Sequence, residues 1–195
     1  KDVVLPPSGS KVNLSVFCVE HGRWKYKGNE SDSTSNNFSV SNYMVTQTVR
    51  AKAVLKNNQS EVWSEVANVN KSNKIKSSTG AYTALTKSKE YQNSTKKYQD
   101  HFKNSFAGQG NVIGVVAVTA NRVIGADMFA SHALFRQQFP QLLSAYITDA
   151  MTYGDKISIR DTEVETYLQK FLSNENEQNE KMEKGKVFKY KIHSY

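Results

Sequence analysis

Residues 111–129 read NVIGVVAVTANRVIGADMF, two apolar runs on either side of Ala120-Asn121. Runs rich in valine and isoleucine favour strands, and a two-residue separation containing asparagine, which tolerates positive φ, is typical of a hairpin turn. The stretch therefore predicts an antiparallel hairpin in which Val118 pairs with Val123.

The same register, continued outward, places a carboxylate opposite a glycine. Val116 then faces Gly125, and Gly114 faces Asp127. Because glycine has no side chain, we expect room beside the Asp127 carboxylate for a ligand or for a packed loop. Both interpretations stay open at this point.

A helical region is expected directly after the hairpin. Ser131 is a typical N-cap, and apolar residues continue to about Tyr153. Pro140 lies inside this region, so the helix is either kinked there or divided into two helices. Residues 104–153 contain only four charged side chains, and the hydrophobic core is expected there.

The second half of this helix carries a carboxylate on its apolar face. Leu142, Tyr146 and Asp149 follow at spacings of four and three residues, which places them on one side of a helix. A buried carboxylate is normally paired. The pattern favours a structural tie from Asp149 to Arg23 or Arg136 over a catalytic role.

The rest of the chain alternates between strand and helix patterns without a regular βαβ rhythm, which predicts an α+β fold in a single domain, 1–195. Its expected elements are a half-buried strand at 12–20, a surface loop at 27–41, a segment undecided between helix and strand at 42–56, a helix at 59–69, an exposed helix at 84–103, a helix running from a capping box at Thr162–Glu165 to Leu172, a polar linker at 173–184 and a last strand at 186–195.

Composition excludes several classes of protein. The 195 residues carry a net charge of +8, but only five of the 26 basic residues are arginine, so we expect a lysine-rich basic surface and no nucleic-acid partner. A single cysteine excludes a disulfide framework, and the four histidines lack paired spacing, so no metal site and no cofactor are expected. No apolar run is long enough to span a membrane. The sequence does not fix the compartment; the start without methionine and the surface composition favour an exported or periplasmic protein over a cytoplasmic one.

Residues 18–24, CVEHGRW, form the first candidate site. Strand alternation places Cys18 and Glu20 on the apolar face of 12–20, so Cys18 is expected to be buried and unreactive. Arg23 either pairs with Glu20 to pin the strand end or holds an anionic ligand. Trp24 either fills the core or offers a stacking surface.

These residues, taken in order, resemble a known family. The motif at residues 18–24, the Gln59-x-x-Val62-Trp63 pattern, and the hairpin with Asp127 followed by LLSAYITDA at 142–150 are similar to the ADP-ribosylglycohydrolase- and rhodanese-phosphatase-associated protein domain over most of 5–172. That domain normally carries a further β-rich portion before this point, so the resemblance implies a chain that lacks it. Phe139 stands where the family pattern leads us to expect an aromatic, often tryptophan.

The resemblance implies a role near ADP-ribose or other NAD-derived nucleotides, but it supplies no established reaction. It nominates Arg23, Trp24, Gln59, Trp63 and Tyr146 as ligand-binding residues. A catalytic general base, if there is one, is to be sought among the acids Glu20, Asp127 and Asp149.

Three functions stay open. The first is a ligand-binding domain for a nucleotide-like small molecule, the second an enzyme that processes an ADP-ribose-type conjugate, and the third an exported interaction module. Turnover of a nucleotide conjugate would separate the first two, and saturable nucleotide binding would remove the third.

Overall fold

The computed structural model describes residues 16–22, 43–172, 177–182 and 185–190. These residues include six α-helices and antiparallel strand pairs, and the fold class is α+β, as predicted. Phe17–Ile157 form one compact unit, and the chain from Ser158 onward belongs to another. That residues 1–195 form a single domain stays a prediction.

The larger unit begins with four helices and a π-helix. They are α1 (Gln47–Ala51), the π-helix Lys52–Lys56, α2 (Gln59–Ser72), α3 (Thr83–Lys87) and α4 (Lys89–Phe102). Polar side chains cap three of these helices: Thr46 accepts from Val49 N, Asn58 from Ser60 N and Ser88 from Tyr91 N. Each cap satisfies an N–H that the first helical turn leaves without a partner.

The hairpin β1 (Gly114–Thr119) and β2 (Arg122–Met128) turns at Ala120-Asn121, as predicted. The pair Val118–Val123 is also confirmed. Beyond it the register shifts by one residue, because β2 contains one residue more than β1 can match. A bulge of this kind cannot be predicted from the hydrophobic pattern of the sequence.

The bulge makes the two outer predicted pairs wrong. Gly114 faces Met128, and Asp127 faces Val115. A Cβ on Gly114 would lie only 2.6 Å from the backbone oxygen of Asp127. The glycine therefore permits a close approach of two backbones, and Asp127 lies opposite Val115 instead of opposite a glycine.

One continuous helix, α5 (His132–Tyr153), follows the hairpin, and Pro140 lies inside it. The division into two helices is therefore wrong. Ser131 caps the helix by accepting from Leu134 N at 3.3 Å, as predicted.

The core is shared between α5 and the first four helices, so its predicted restriction to 104–153 is wrong. Valines at helical spacing on α2 pack with residues of α1, α3 and α4, and α5 contributes large apolar side chains. The first group comprises Val49, Val62, Val66, Val69, Tyr82, Leu85 and Tyr91, and the α5 group comprises Phe135, Phe139, Leu142, Ala145 and Ile147. The region 84–103, predicted as one exposed helix, is two helices with Leu85 and Tyr91 buried.

The predicted strand at 12–20 is not a strand in its described part, where Glu20 forms only an isolated bridge, and the predicted burial of its two faces is reversed. Val16 is 84% exposed, whereas Phe17 and Val19 pack against the core. Burial of phenylalanine removes more apolar surface from water than burial of cysteine, so the Phe17 face turns inward. Cys18 is only partly buried, and its predicted full burial is wrong. Residues 12–15 and 27–41 of the predicted strand and loop lie outside the described residues.

The unit from Ser158 onward contains α6 (Asp161–Leu172), β3 (Glu177–Met182) and β4 (Gly185–Tyr190). The helix ends at Leu172 as predicted but begins earlier, because the acid that accepts from the backbone at its start is Glu163, bonded to Arg160 N at 2.9 Å. β3 lies within the predicted polar linker and pairs with β4. Backbone pairing needs no apolar alternation, so composition could not signal that strand.

Candidate functional site

The Asp127 carboxylate is held by two side chains from two helices. Arg50, on α1, donates to both of its oxygens, at 2.8 Å to Oδ1 and 2.9 Å to Oδ2. Tyr146, on α5, donates its hydroxyl to Oδ2. The guanidinium also lies 5.8 Å from the centre of the Tyr146 ring, within the range of a cation–π contact. This forked arrangement is the strong form of an ion pair.

The ion pair reaches the solvent, since the Arg50 and Asp127 side chains are 23% and 22% exposed. Burial by itself would lower the pKa of Arg50, but the hydrogen bond and charge of Asp127 outweigh it, and the pKa is raised. Burial and the neighbouring Asp127 charge raise the pKa of Tyr146. Arg50 is therefore charged and Tyr146 protonated at neutral pH.

Gly125 and Gln47 complete this group. A Cβ on Gly125 would lie 2.8 Å from Gln47 Cγ and 3.1 Å from Tyr146 Cε1, so any larger residue there requires one of these side chains to move. Gln47 Oε1 and Arg50 Nε are buried without a hydrogen-bond partner in the part of the chain that the structure describes. We call Gln47, Arg50, Gly125, Asp127 and Tyr146 the Arg50–Asp127 cluster.

Asp149 contacts the same helix at its first turn. Its carboxylate accepts from Gln47 N at 2.6 Å, Thr48 N at 3.5 Å and Thr48 Oγ1 at 3.1 Å. The residue is 1% exposed, and burial raises its pKa to about 6 against the opposing effect of these hydrogen bonds. Backbone N–H groups thus take the place predicted for a basic side chain. Arg136, one predicted partner, is exposed, and Arg23, the other, lies outside the described residues.

With this geometry in view, the comparisons identify the family. The family model of the ARG and Rhodanese-Phosphatase-superfamily-associated Protein domain matches residues 1–194. The chain belongs to this family. Searches for similar proteins found no match among curated proteins and none among solved structures.

Two of the residues that the family resemblance nominates have structural contacts with residues 18–21. The Gln59 amide accepts from Cys18 N at 2.8 Å and donates to Cys18 O at 2.7 Å, as a neighbouring strand would. Trp63 packs edge-on against His21 with ring centres 4.6 Å apart. Its Nε1 is buried and lacks a hydrogen-bond partner among the described residues.

The remaining nominees are divided between this segment and the undescribed part of the chain. Glu20 forms an isolated bridge with Ala81. Arg23 and Trp24 lie outside the described residues, so their predicted roles as anion clamp and stacking surface stay predictions. Of the nominated residues, Asp127 and Tyr146 are in direct contact, and Asp149 joins them through α1.

Sequence reasoning missed Gln47 and Arg50. Both lie in 42–56, which the sequence left undecided between helix and strand. The signal available was their spacing of three residues, which places both on one face once the segment is helical.

Neither a metal site nor a membrane span is found in the described ranges. No group of three histidine, cysteine, aspartate or glutamate side chains there is placed to hold a metal ion. In the same ranges, every helix is too short or too polar to cross a bilayer.

Proposed function

We propose that this chain is a ligand-binding domain for nucleotides of the ADP-ribose class, and that the Arg50–Asp127 cluster contributes to the binding site. The observation that carries the proposal is an Arg–carboxylate–Tyr group fixed by three elements of the fold while its two charged side chains still reach solvent.

The rigidity of the cluster supports binding. Asp127 is held at both oxygens, and Arg50 is held by Asp127 and by the Tyr146 ring. Side chains that are already ordered lose little conformational entropy when a ligand arrives. A carboxylate and a guanidinium are also the groups that proteins use for ribose hydroxyls and phosphates.

The class of ligand comes from the family. Its name associates its members with ADP-ribosylglycohydrolases, whose substrates contain ADP-ribose. ADP-ribose offers two ribose rings, a diphosphate and an aromatic base, which are the groups that Asp127, Arg23 and Trp24 are suited to meet.

Calorimetric titration of the purified chain with ADP-ribose, NAD+ and ADP tests the proposal. We expect saturable binding that Asp127→Asn weakens and Asp100→Asn leaves unchanged. The Asp100→Asn variant is the matched control. It makes the same substitution at a surface carboxylate, which contacts Lys96 and Lys103. Absence of saturable binding by all three nucleotides would contradict the proposal and favour the interaction module.

An enzyme that processes an ADP-ribose-type conjugate is the second candidate function, and the same purified chain can be assayed for that activity. Chromatography of ADP-ribose conjugates incubated with the chain would reveal products if one of the acids Glu20, Asp127 or Asp149 acts as a general base. Asp149 is the weakest of the three, because its 1% exposure leaves no surface for a substrate to contact.

A further inference from the structure

We infer that the Arg50–Asp127 cluster binds the vicinal hydroxyls of a ribose and not the diphosphate, an inference that rests on the proposed function. Arginine beside a tyrosine would ordinarily be taken for a phosphate site. The charges and the remaining hydrogen-bonding capacity of this cluster favour a neutral polyol instead.

The charge of Arg50 is already matched. Its two terminal nitrogens each bond one oxygen of Asp127, so the ion pair has no net charge. Asp149, on the next turn of α5 after Tyr146, lies near enough to interact electrostatically with Arg50 and adds a second carboxylate when ionised. A diphosphate bound here would face a cation that is already paired with Asp127, with the buried Asp149 carboxylate nearby, and the repulsion would oppose it.

The unused hydrogen-bonding positions fit hydroxyl groups. A carboxylate can accept about four hydrogen bonds, and Asp127 receives two from Arg50 and one from Tyr146, the last on Oδ2. Among the described residues, no donor occupies the fourth accepting position, on Oδ1. The terminal nitrogens of Arg50 carry four N–H groups, of which Asp127 uses two and Tyr146 engages another.

A vicinal diol satisfies both kinds of position at once. One hydroxyl donates to Asp127 Oδ1, and the oxygen of either hydroxyl accepts from Arg50. The diphosphate of ADP-ribose is esterified at both ends and its oxygens carry no proton at neutral pH, so it accepts from Arg50 but has nothing to donate to Asp127. Carboxylates hold ribose hydroxyls in this way in dinucleotide-binding folds.

The experiment compares ligands on the unaltered chain first. We expect ADP to bind about tenfold or more tightly than 2′,3′-dideoxy-ADP, the loss typical of one hydrogen bond to a charged group. Equal binding of ADP and its dideoxy analogue would overturn the inference and leave the proposed function intact.

The Asp127→Asn variant then distinguishes a site for the diol from a site for phosphate. If the cluster binds a diol, the variant weakens ADP about tenfold and leaves pyrophosphate unchanged. If the cluster binds phosphate, removal of the matching charge frees Arg50, and pyrophosphate binding becomes stronger. Asp100→Asn is the control, and circular dichroism establishes that both variants are folded. Failure of every nucleotide to bind the wild-type chain would overturn the proposed function itself.

Discussion

Asp127 and Asp149 contact the same short helix, α1, but the two regions satisfy a carboxylate by different means. Asp127 meets a guanidinium and a phenol at the surface, where both charged partners are about one-fifth exposed. Asp149 meets backbone N–H groups at the helix start, where almost no surface remains. An ion pair near solvent keeps its charges and can exchange partners with a ligand. A buried carboxylate bound to N–H groups holds α1 in place.

The largest effect is expected from Asp149→Ala. The change leaves the N–H groups of Gln47 and Thr48 without their acceptor in a dry environment, at a cost of about 2–4 kcal/mol in the free energy of unfolding. Guanidinium denaturation below about pH 4, where Asp149 is protonated in both the folded and the unfolded chain, measures it without the contribution of its charge. Asp149→Asn retains an acceptor and should lose less than half as much. Equal losses in the two variants would show that the hydrogen bonds are not the cause.

The next effect concerns pH. Because the pKa of Asp149 is raised to about 6 by burial, the folded state holds this proton more tightly than the unfolded chain. Its contribution to stability is therefore complete below about pH 4 and is lost as pH rises through about 6, by at most about 3 kcal/mol. The wild type should weaken relative to Asp149→Asn between pH 4 and pH 7.

Asp100→Asn is the control for this pH dependence. Lys103 and Lys96 lower the pKa of Asp100 to about 2, so its contribution is lost only as pH falls below about 4. The stability difference between wild type and Asp100→Asn should stay constant from pH 5 to pH 8. The difference in unfolding free energy between wild type and Asp149→Asn should change with pH more than the same difference for Asp100→Asn. If it does not, the pKa of Asp149 is not elevated.

Arg50→Met tests the other region. The substitution leaves Asp127 with Tyr146 and water, and we expect a loss of about 1–3 kcal/mol, less than for a fully buried pair, because solvent reaches both groups. In a double-mutant cycle with Asp127→Asn, the two losses should be strongly non-additive, since each variant removes the same pair. Additive losses in guanidinium unfolding would show that the ion pair contributes little to stability.

Local features of this fold were accessible from sequence, and contacts between distant segments were not. The turn at Ala120-Asn121 and the Ser131 cap depend on residues a few positions apart, and both predictions are confirmed. Arg50 and Asp127 are 77 residues apart, and nothing in either segment indicates the other. The bulge in β2 likewise follows from how the hairpin packs, so the predicted pairing of Gly114 with Asp127 was wrong.

The candidate site shows the same division. Periodicity correctly placed Asp149 on a buried face, but the partner that we inferred was a cation. The sequence left 42–56 undecided between helix and strand, so the backbone N–H groups at the start of α1 could not be anticipated. Gln59, nominated as a ligand residue, makes strand-like hydrogen bonds to Cys18. Amide side chains pair with backbone as readily as with ligands, and only the fold distinguishes the two.

The smallest of the expected effects comes from Gly125→Ala, which disturbs the Arg50–Asp127 cluster without touching a charge. The new methyl group would meet Gln47 Cγ at 2.8 Å and Tyr146 Cε1 at 3.1 Å. The flexible Gln47 side chain can move aside, but the Tyr146 ring is fixed by its bond to Asp127, so we expect a loss of about 1–2 kcal/mol. Gly110→Ala is the matched control, since its methyl group would meet nothing within 4 Å among the described residues. Thermal unfolding of the two variants side by side checks the difference, and nucleotide titration of Gly125→Ala should show weaker binding than Gly110→Ala. If both alanines are equally stable and bind equally well, the close packing of Gln47, Gly125 and Tyr146 is not required for the Arg50–Asp127 cluster.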